Sequence, residues 1–288
     1  MPPLTWLITG TSSGLGLALA EELLSRGENV IATARSASSR LASLQSAGAT
    51  ILDLDITASE TELFAKIQTS IKMYGGIDVL VNNAGTFEWG LIEETRNEEW
   101  VRHFETNVLG AIKLTRAILP HFRRRKSGKV VFVGSENGWR GSAGTGAYSV
   151  SKFALEGFVE TLQRETSHLG IQSIIFEPGE FRTSVLSSSA KESQLVGDPD
   201  YGEFVESIQA GLKESDGKQK GDPKKGVKIM VDVVKGEGVA LGRTMPKRMP
   251  LGKGCLETVR RKCLETLEVC EEWEQVIEST DFDEVETK

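Results

Sequence analysis

The chain has 288 residues, 39% of them hydrophobic, and a formal net charge of −7. A chain of this size buries roughly three quarters of the surface its unfolded form exposes, so it needs no staples, and its ordinary composition excludes disordered and fibrous classes. Residues 271–288 hold eight acids and one base, leaving the rest balanced at 33 of each, so the overall basic field of a nucleic-acid-binding protein is excluded.

In chain order, strand-length apolar runs occur at Leu4–Thr9, Val30–Thr33, Thr50–Leu54, Val79–Val81, Lys129–Gly134 and Gln172–Phe176. They are continuously apolar, as strands covered on both faces are. Helical patterns near 15–26, 36–47, 58–74, 97–125 and 147–168 alternate with them. That alternation predicts an α/β fold: a doubly wound parallel sheet with right-handed crossovers, and a ligand site at the carboxyl ends of its strands. After Phe176 the rhythm breaks. Residues 178–226 read as a substrate lid, centred on 184–202, followed by an exposed linker at 213–226. Helical patterns resume near 224–235 and at 251–279, the last read as an extension packed on the same core. Residues 280–288 read as an acidic, frayed tail.

The three cysteines, Cys255, Cys263 and Cys270, all fall in that last helix with no CxxC pair. Residues seven apart on a helix are ~10 Å apart, too far for a disulfide. They read as buried helix-face residues in a reducing compartment, hence a cytoplasmic protein, and no metal site is expected. No apolar run approaches the roughly 20 residues of a membrane span. Met1–Gly10 has no basic region or cleavage site, so no leader is read there. The basic run Arg123–Lys126 closes a helix, where cations suit the dipole.

The first strand runs into Thr9-Gly10-Thr11-Ser12-Ser13-Gly14-Leu15-Gly16 and a helix follows. Gly10 permits a tight turn, Gly14 lets the backbone approach a pyrophosphate, and Gly16 allows close helix–strand packing. The helix start adds free N–H groups and a positive dipole end. The glycine pattern alone is weak, and its place between a strand and a helix carries the reading. Strand two ends Ala34-Arg35-Ser36, with no acid between Ile31 and Ser39. An acid there would hold the adenosine ribose, whereas an Arg accommodates the extra phosphate of NADP, so NADP(H) is expected over NAD(H). After strand three an acid can accept the adenine amino group; Asp55 is the candidate, with Asp53 the near competitor.

Tyr148 and Lys152 lie four apart on one helix face. A phenol titrates near pH 10, and a neighbouring cation favours its ionised form. Ser135 follows the fifth strand. Asn82-Asn83-Ala84-Gly85 follows the fourth, and Asn107 sits within the next helix, where a buried Asn needs partners. Phe87, Trp89, Glu136, Asn137 and Trp139 lie beside these residues and read as pocket walls. His103, His121 and His168 have no ligand spacing.

Together these motifs, with Pro178-Gly179-xxx-Thr183, resemble the short-chain dehydrogenase/reductase family in order and spacing over residues 4–183, in its compact branch. The resemblance implies a Rossmann-like single dinucleotide-binding and catalytic domain over 1–279. It implies hydride transfer to a carbonyl with Tyr148 as general acid, Ser135 bonding the carbonyl oxygen, Lys152 lowering the Tyr148 pKa, and Asn107 anchoring a water. Gly10, Ser12, Ser13, Gly14, Leu15, Gly16, Arg35, Ser36, Asp55, Asn83, Ala84, Gly85, Tyr148, Lys152, Pro178, Gly179, Phe181 and Thr183 are the implied cofactor contacts. The expected activity is NADPH-dependent reduction of a mid-sized apolar or aromatic ketone, such as a secondary metabolite, in a homodimer or homotetramer. The rivals are an NADP-dependent alcohol dehydrogenase, a non-redox NADP-scaffolded isomerase or cyclase, and a silent cofactor-sensing protein.

Overall fold

The computed structural model describes residues 2–185 and 198–282. Seven strands form one parallel sheet in the order β3-β2-β1-β4-β5-β6-β7. They are β1 (Thr5–Ile8), β2 (Asn29–Ala34), β3 (Thr50–Asp53), β4 (Val79–Asn82), β5 (Gly128–Val133), β6 (Ile171–Pro178) and β7 (Arg248–Leu251). The central strands β1 and β4 are buried along their whole length because both faces are covered. On β1, Trp6 and Ile8 face a layer that includes Leu19 and Leu23 of α1 (Gly14–Ser25). Leu7 faces the opposite layer, with Leu63 and Ile67 of α4 (Glu60–Tyr74). The chain reverses its direction of travel across the sheet between β1 and β4, which opens a crevice at their carboxyl ends.

The 36–47 pattern forms two short helices, α2 (Ala37–Arg40) and α3 (Ala42–Ser46). The 97–125 pattern is one long rod: α5 (Asn97–Phe104), a π-turn at Glu105–Leu109, and α6 (Gly110–Arg125). At its end Arg125 caps the backbone of Ile77 and pairs with Asp78, both at 2.7 Å, so the basic run serves the fold. The catalytic-motif helix is α7 (Gly146–Thr166).

Beyond β6 the sequence reading needs correction. Residues 213–226 are not a plain exposed linker. Residues 202–212, within the expected lid and linker, open a helix, α8 (Gly202–Ser215), and the chain then returns to the segment after β6, where Gly221 bonds the backbone of Glu180 and Arg182. Gln219 there is buried. The next helix, α9 (Pro223–Lys235), starts with Asp222 capping Lys224 and Lys225 and packs on α1. β7 was missed because it is a four-residue edge strand holding Pro250, and a proline hides the strand pattern. Part of the expected lid, residues 186–197, and tail residues 283–288 lie outside the described residues.

The last segment also departs from expectation. Among the described residues, α10 (Lys253–Glu272) and α11 (Glu274–Glu278) meet the body at the start of α10, through Cys255, Thr258 and the half-buried Val259. Cys255 is buried, with its thiol 3.2 Å from the Glu177 carbonyl. Cys263 and Cys270 are exposed rather than buried. The helix is amphipathic, but among the described residues no wall of this chain covers its apolar stripe.

Candidate active site

A cleft of about 1470 Å³ runs along the carboxyl ends of the strands. Its first wall is the turn from β1 into α1. Gly10 has φ 69° and Gly14 φ 58°, the left-handed region that favours glycine. A Cβ on Gly10 would lie 2.8 Å from the Ala84 backbone, and one on Gly16 would lie 2.4 Å from both Asn83 Nδ2 and the Gly10 carbonyl. Asn83 Nδ2 in turn donates to the carbonyls of Thr9, at 2.8 Å, and Gly10, at 3.0 Å. The β1 and β4 turns therefore brace each other, and their glycines make the close approach possible. Ser13 begins α1 without capping it through its side chain, and the first turn holds no acid. The leading N–H groups remain available to an anion. Ser12, Ser13, Leu15, Asn83, Ala84 and Gly85 all line the cleft.

At its far end the cleft is lined by Arg35, Arg40, Asp55 and Ile56. Asp53 is turned away and accepts the Ala37 amide at the start of α2. That separates the two acids: Asp55 faces the cleft. Its carboxylate accepts the Thr57 amide at 2.9 Å and the Thr57 hydroxyl at 2.7 Å. Partial burial opposes ionisation, but these bonds and the Arg35 and Lys113 charges hold its pKa below the usual carboxylate range. Ser36 does not line the cleft. It stands in left-handed backbone, φ 56°, at the head of α2. Arg40, which sequence reasoning passed over as part of a helical pattern, lines that side of the cleft.

The chemical end gathers Ser135, Tyr148 and Lys152. Ser135 is buried and its hydroxyl accepts the Asn137 amide at 3.1 Å. It also hydrogen-bonds the Tyr148 phenol, and that bond lowers the phenol pKa against a larger upward push from burial, which leaves it above its ordinary value. Lys152 Nζ donates to the Val133 carbonyl at 2.9 Å and lies 5.5 Å from the Tyr148 ring centroid. Burial pushes Lys152 down to about 8, opposed by the Glu156 charge. In this state the phenol is protonated at neutral pH, as a proton donor must be. Lys152 neighbours the ring, and burial is the larger influence on the phenol.

Asn107 does not line the cleft. Both its Nδ2 hydrogens are used, on Thr86 O at 2.9 Å and Ser151 Oγ at 3.0 Å, while Oδ1 accepts the Thr86 amide at 2.7 Å. Its side chain ties the loop after β4 to α7. On the pocket side Phe87 stands edge-on to both Tyr148 and Trp89, at 4.7 and 4.9 Å between centroids. Asn137 supports Thr145 and Ser149, and Glu136 is gripped by Arg140 at 2.6 Å. Trp139 is displaced from the cleft, with the Arg248 guanidinium stacked 4.0 Å over its ring. Ile208 and Leu212 of α8 add apolar wall that sequence reading missed with that helix. Pro178, Gly179 and Thr183 line the cleft. Phe181 lines it too, but its ring packs toward Gly226, where a Cβ would lie 2.5 Å from it.

Behind Lys152 lies a buried charge cluster. Glu156 and Glu177 both face Arg248, whose Nε is 3.2 Å from Glu156 and 2.7 Å from Glu177. Burial and the neighbouring Glu177 push Glu156 well above the usual carboxylate range, while Arg248 and Lys152 pull it back. The i, i+4 spacing of Lys152 and Glu156 was the readable signal. Arg248 was hidden with β7.

The residues present fit a dinucleotide: a glycine cradle a Cβ would fill, an uncapped helix start, and cations at the far end. Fold, cradle and the Ser–Tyr–Lys cluster define an oxidoreductase of the dinucleotide-binding class. Residues 5–194 match the family model described as short chain dehydrogenase. The chain belongs to that family. It is 33% identical over 255 residues to "Uncharacterized oxidoreductase YusZ" of Bacillus subtilis (strain 168), covering 86% of this chain and 89% of that protein. It is 33% identical over 195 residues to the 3-oxoacyl-(acyl-carrier-protein) reductase FabG of Escherichia coli (strain K12), covering 66% and 78% respectively. A crystal structure of a short-chain dehydrogenase from Streptomyces avermitilis matches at 35% identity and TM-score 0.85, covering 97% of this chain and all of that one. Structures of the same fold at 20% and 26% identity were solved with NAD and NADP, respectively. No helix among the described residues is long and apolar enough to cross a membrane.

Proposed function

We propose that this protein is an NADPH-dependent ketoreductase acting on a mid-sized apolar or aromatic ketone. The observation that carries the reading is the convergence of Ser135, Tyr148 and Lys152 at one end of a cleft whose other end is a phosphate cradle. NADPH, when bound, supplies the hydride. Gly10, Gly14, Gly16 and the start of α1 would hold its pyrophosphate, and Arg35 with Arg40 its 2′-phosphate. Ser135 orients the substrate oxygen, and Tyr148 donates the proton that the oxygen acquires. Lys152 replaces charge as the phenol ionises, while the clamp formed by Asn107 keeps α7 in register with the β4 loop. Phe87, Trp89, Ile208 and Leu212 exclude water around the reacting carbonyl. General acid catalysis of this kind contributes typically ~10²–10⁴-fold.

The test follows NADPH absorbance with purified protein against a panel of aromatic, polyketide-like and steroid ketones. Turnover with at least one of them supports the reading. Tight NADPH binding with no turnover across the panel contradicts the substrate class. The cofactor choice has its own test. Replacing both Arg35 and Arg40 by Ala should raise the KM for NADPH roughly tenfold or more, because each charge-assisted bond is worth about 1.5–3 kcal/mol. The KM for NADH should barely move. Equal loss with both cofactors would place the arginines elsewhere in the chemistry.

A further inference from the structure

From Arg260 to Phe282 every residue of the C-terminal segment is exposed. Yet its helices, α10 and, after a break at Trp273, α11, carry an apolar stripe at the three- and four-residue spacing of a helix–helix seam. Leu256, Cys263, Leu267, Cys270 and Ile277 lie along it; Leu267 is 56% and Ile277 50% exposed. Only two positions of that stripe are charged, Arg260 and Glu274, and they stand seven residues on either side of Leu267. The helix is also polarised. Residues 253–262 hold four bases and one acid, and residues 263–278 hold six acids and no base.

We infer that this helix pairs with the same helix of a second copy of the chain, antiparallel about a two-fold axis near Leu267. Three features select that occupant. The stripe is long, and from Arg260 onward it is exposed, with no described residue of its own chain covering it. In the antiparallel arrangement Arg260 meets Glu274 of the partner subunit, so each charged interruption is matched. The basic first half then lies along the acidic second half of the partner, and the two-fold gives every such contact twice. A parallel pair would set base on base and acid on acid, which repels. The exposed Arg261–Glu265 pair within one helix, at 3.7 Å, is too weak to neutralise this pattern. The contact also leaves the cleft open, because the helix is exposed from Arg260 onward and lines none of the cleft. This seam would be additional to any other subunit contact.

The test is a charge exchange on the full chain, read by sedimentation velocity over a concentration series, with circular dichroism as a check on folding. One variant carries Arg260→Glu and Lys262→Glu, the other Glu271→Lys and Glu274→Lys. Each alone should raise the dissociation constant of the association by roughly tenfold or more, as loss of about 1.4 kcal/mol implies. An equimolar mixture should recover wild-type association. Leu267→Asp should abolish that association while ketone or NADPH binding in the cleft stays unchanged. Three results would overturn the inference: a wild-type chain whose helix stays monomeric, including one that partitions onto phosphatidylcholine–phosphatidylglycerol vesicles; all variants associating like wild type; or single variants that weaken association while their mixture does not restore it.

Discussion

At the residue scale the site rests on contacts that tolerate little change. Gly16 is closed in by Asn83 Nδ2 and the Gly10 carbonyl. Gly16→Ala should therefore cost ~1–3 kcal/mol through overpacking, seen as a lower urea midpoint, and should weaken NADPH binding in calorimetry. A variant with wild-type midpoint and affinity would show that the turn yields freely. Lys152 depends on the residue behind it. Burial lowers its pKa to about 8 and the Glu156 charge works against that burial. The ammonium form is lost as pH rises through that value, so kcat/KM for reduction should fall on the alkaline side of about 8. Glu156→Gln removes the opposing charge, which should move that alkaline limb to lower pH by roughly half a unit or more. The rate on the acid side should hold. An unmoved limb would reduce Glu156 to a packing role.

At the element scale the most informative contact joins α1 to α9, the two helices that cover one face of the sheet. Arg26, at the end of α1, reaches Asp232 of α9 at 2.6 Å and Glu237 at 3.0 Å. Asp232 also accepts the Val239 amide at 3.2 Å. Burial favours its neutral form, but the bonds from Arg26 and Val239 win and hold its pKa below the usual carboxylate range. A depressed folded-state pKa stabilises above the unfolded value and is lost as pH falls through the folded one. Asp232→Ala should thus destabilise by ~1–3 kcal/mol at pH 7, and the gap to wild type should narrow below about pH 4. Denaturant melts at both pH values check this, and a gap independent of pH would assign the effect to packing. The elements read from sequence divide along the same physical line. Strands β1–β6 and the α1, α4 and α7 helices were legible because a strand covered on both faces is a continuous apolar run and a helix covered on one face carries an apolar period. α8 was missed because it lies over the cleft, with only Val205 buried. β7 was missed because an edge strand with Pro250 has no such period. The C-terminal helix was legible as a helix. Its surroundings were not, since amphipathicity does not reveal which molecule supplies the covering wall.

At the scale of the whole molecule, the site is assembled from segments that sequence places far apart. The glycine turn, the β4 turn, Ser135 and the Tyr148–Lys152 pair were legible because each is a short local motif at a strand end, and a parallel sheet aligns all strand ends on one edge. What stayed hidden depends on orientation within that edge. Asp55 faces the cleft while Asp53 caps α2, Arg40 lines the cleft beside Arg35, Asn107 clamps Thr86, and Trp139 stacks on Arg248. None of these follows from spacing, because each is decided by the rotation of one turn or by a partner from a distant element.

The account rests most heavily on Tyr148 as the proton donor. The measurement that reaches this claim compares Tyr148→Phe with wild type, reading single-turnover NADPH oxidation on a ketone the wild type reduces and NADPH affinity by fluorescence titration. The phenol lies at the chemical end of the cleft, away from the glycine cradle, so affinity should stay within about threefold. Turnover should fall by roughly 10²-fold or more, the scale of lost general acid catalysis. A variant that keeps more than about a tenth of wild-type turnover, or that loses NADPH binding and turnover together, would contradict the assignment.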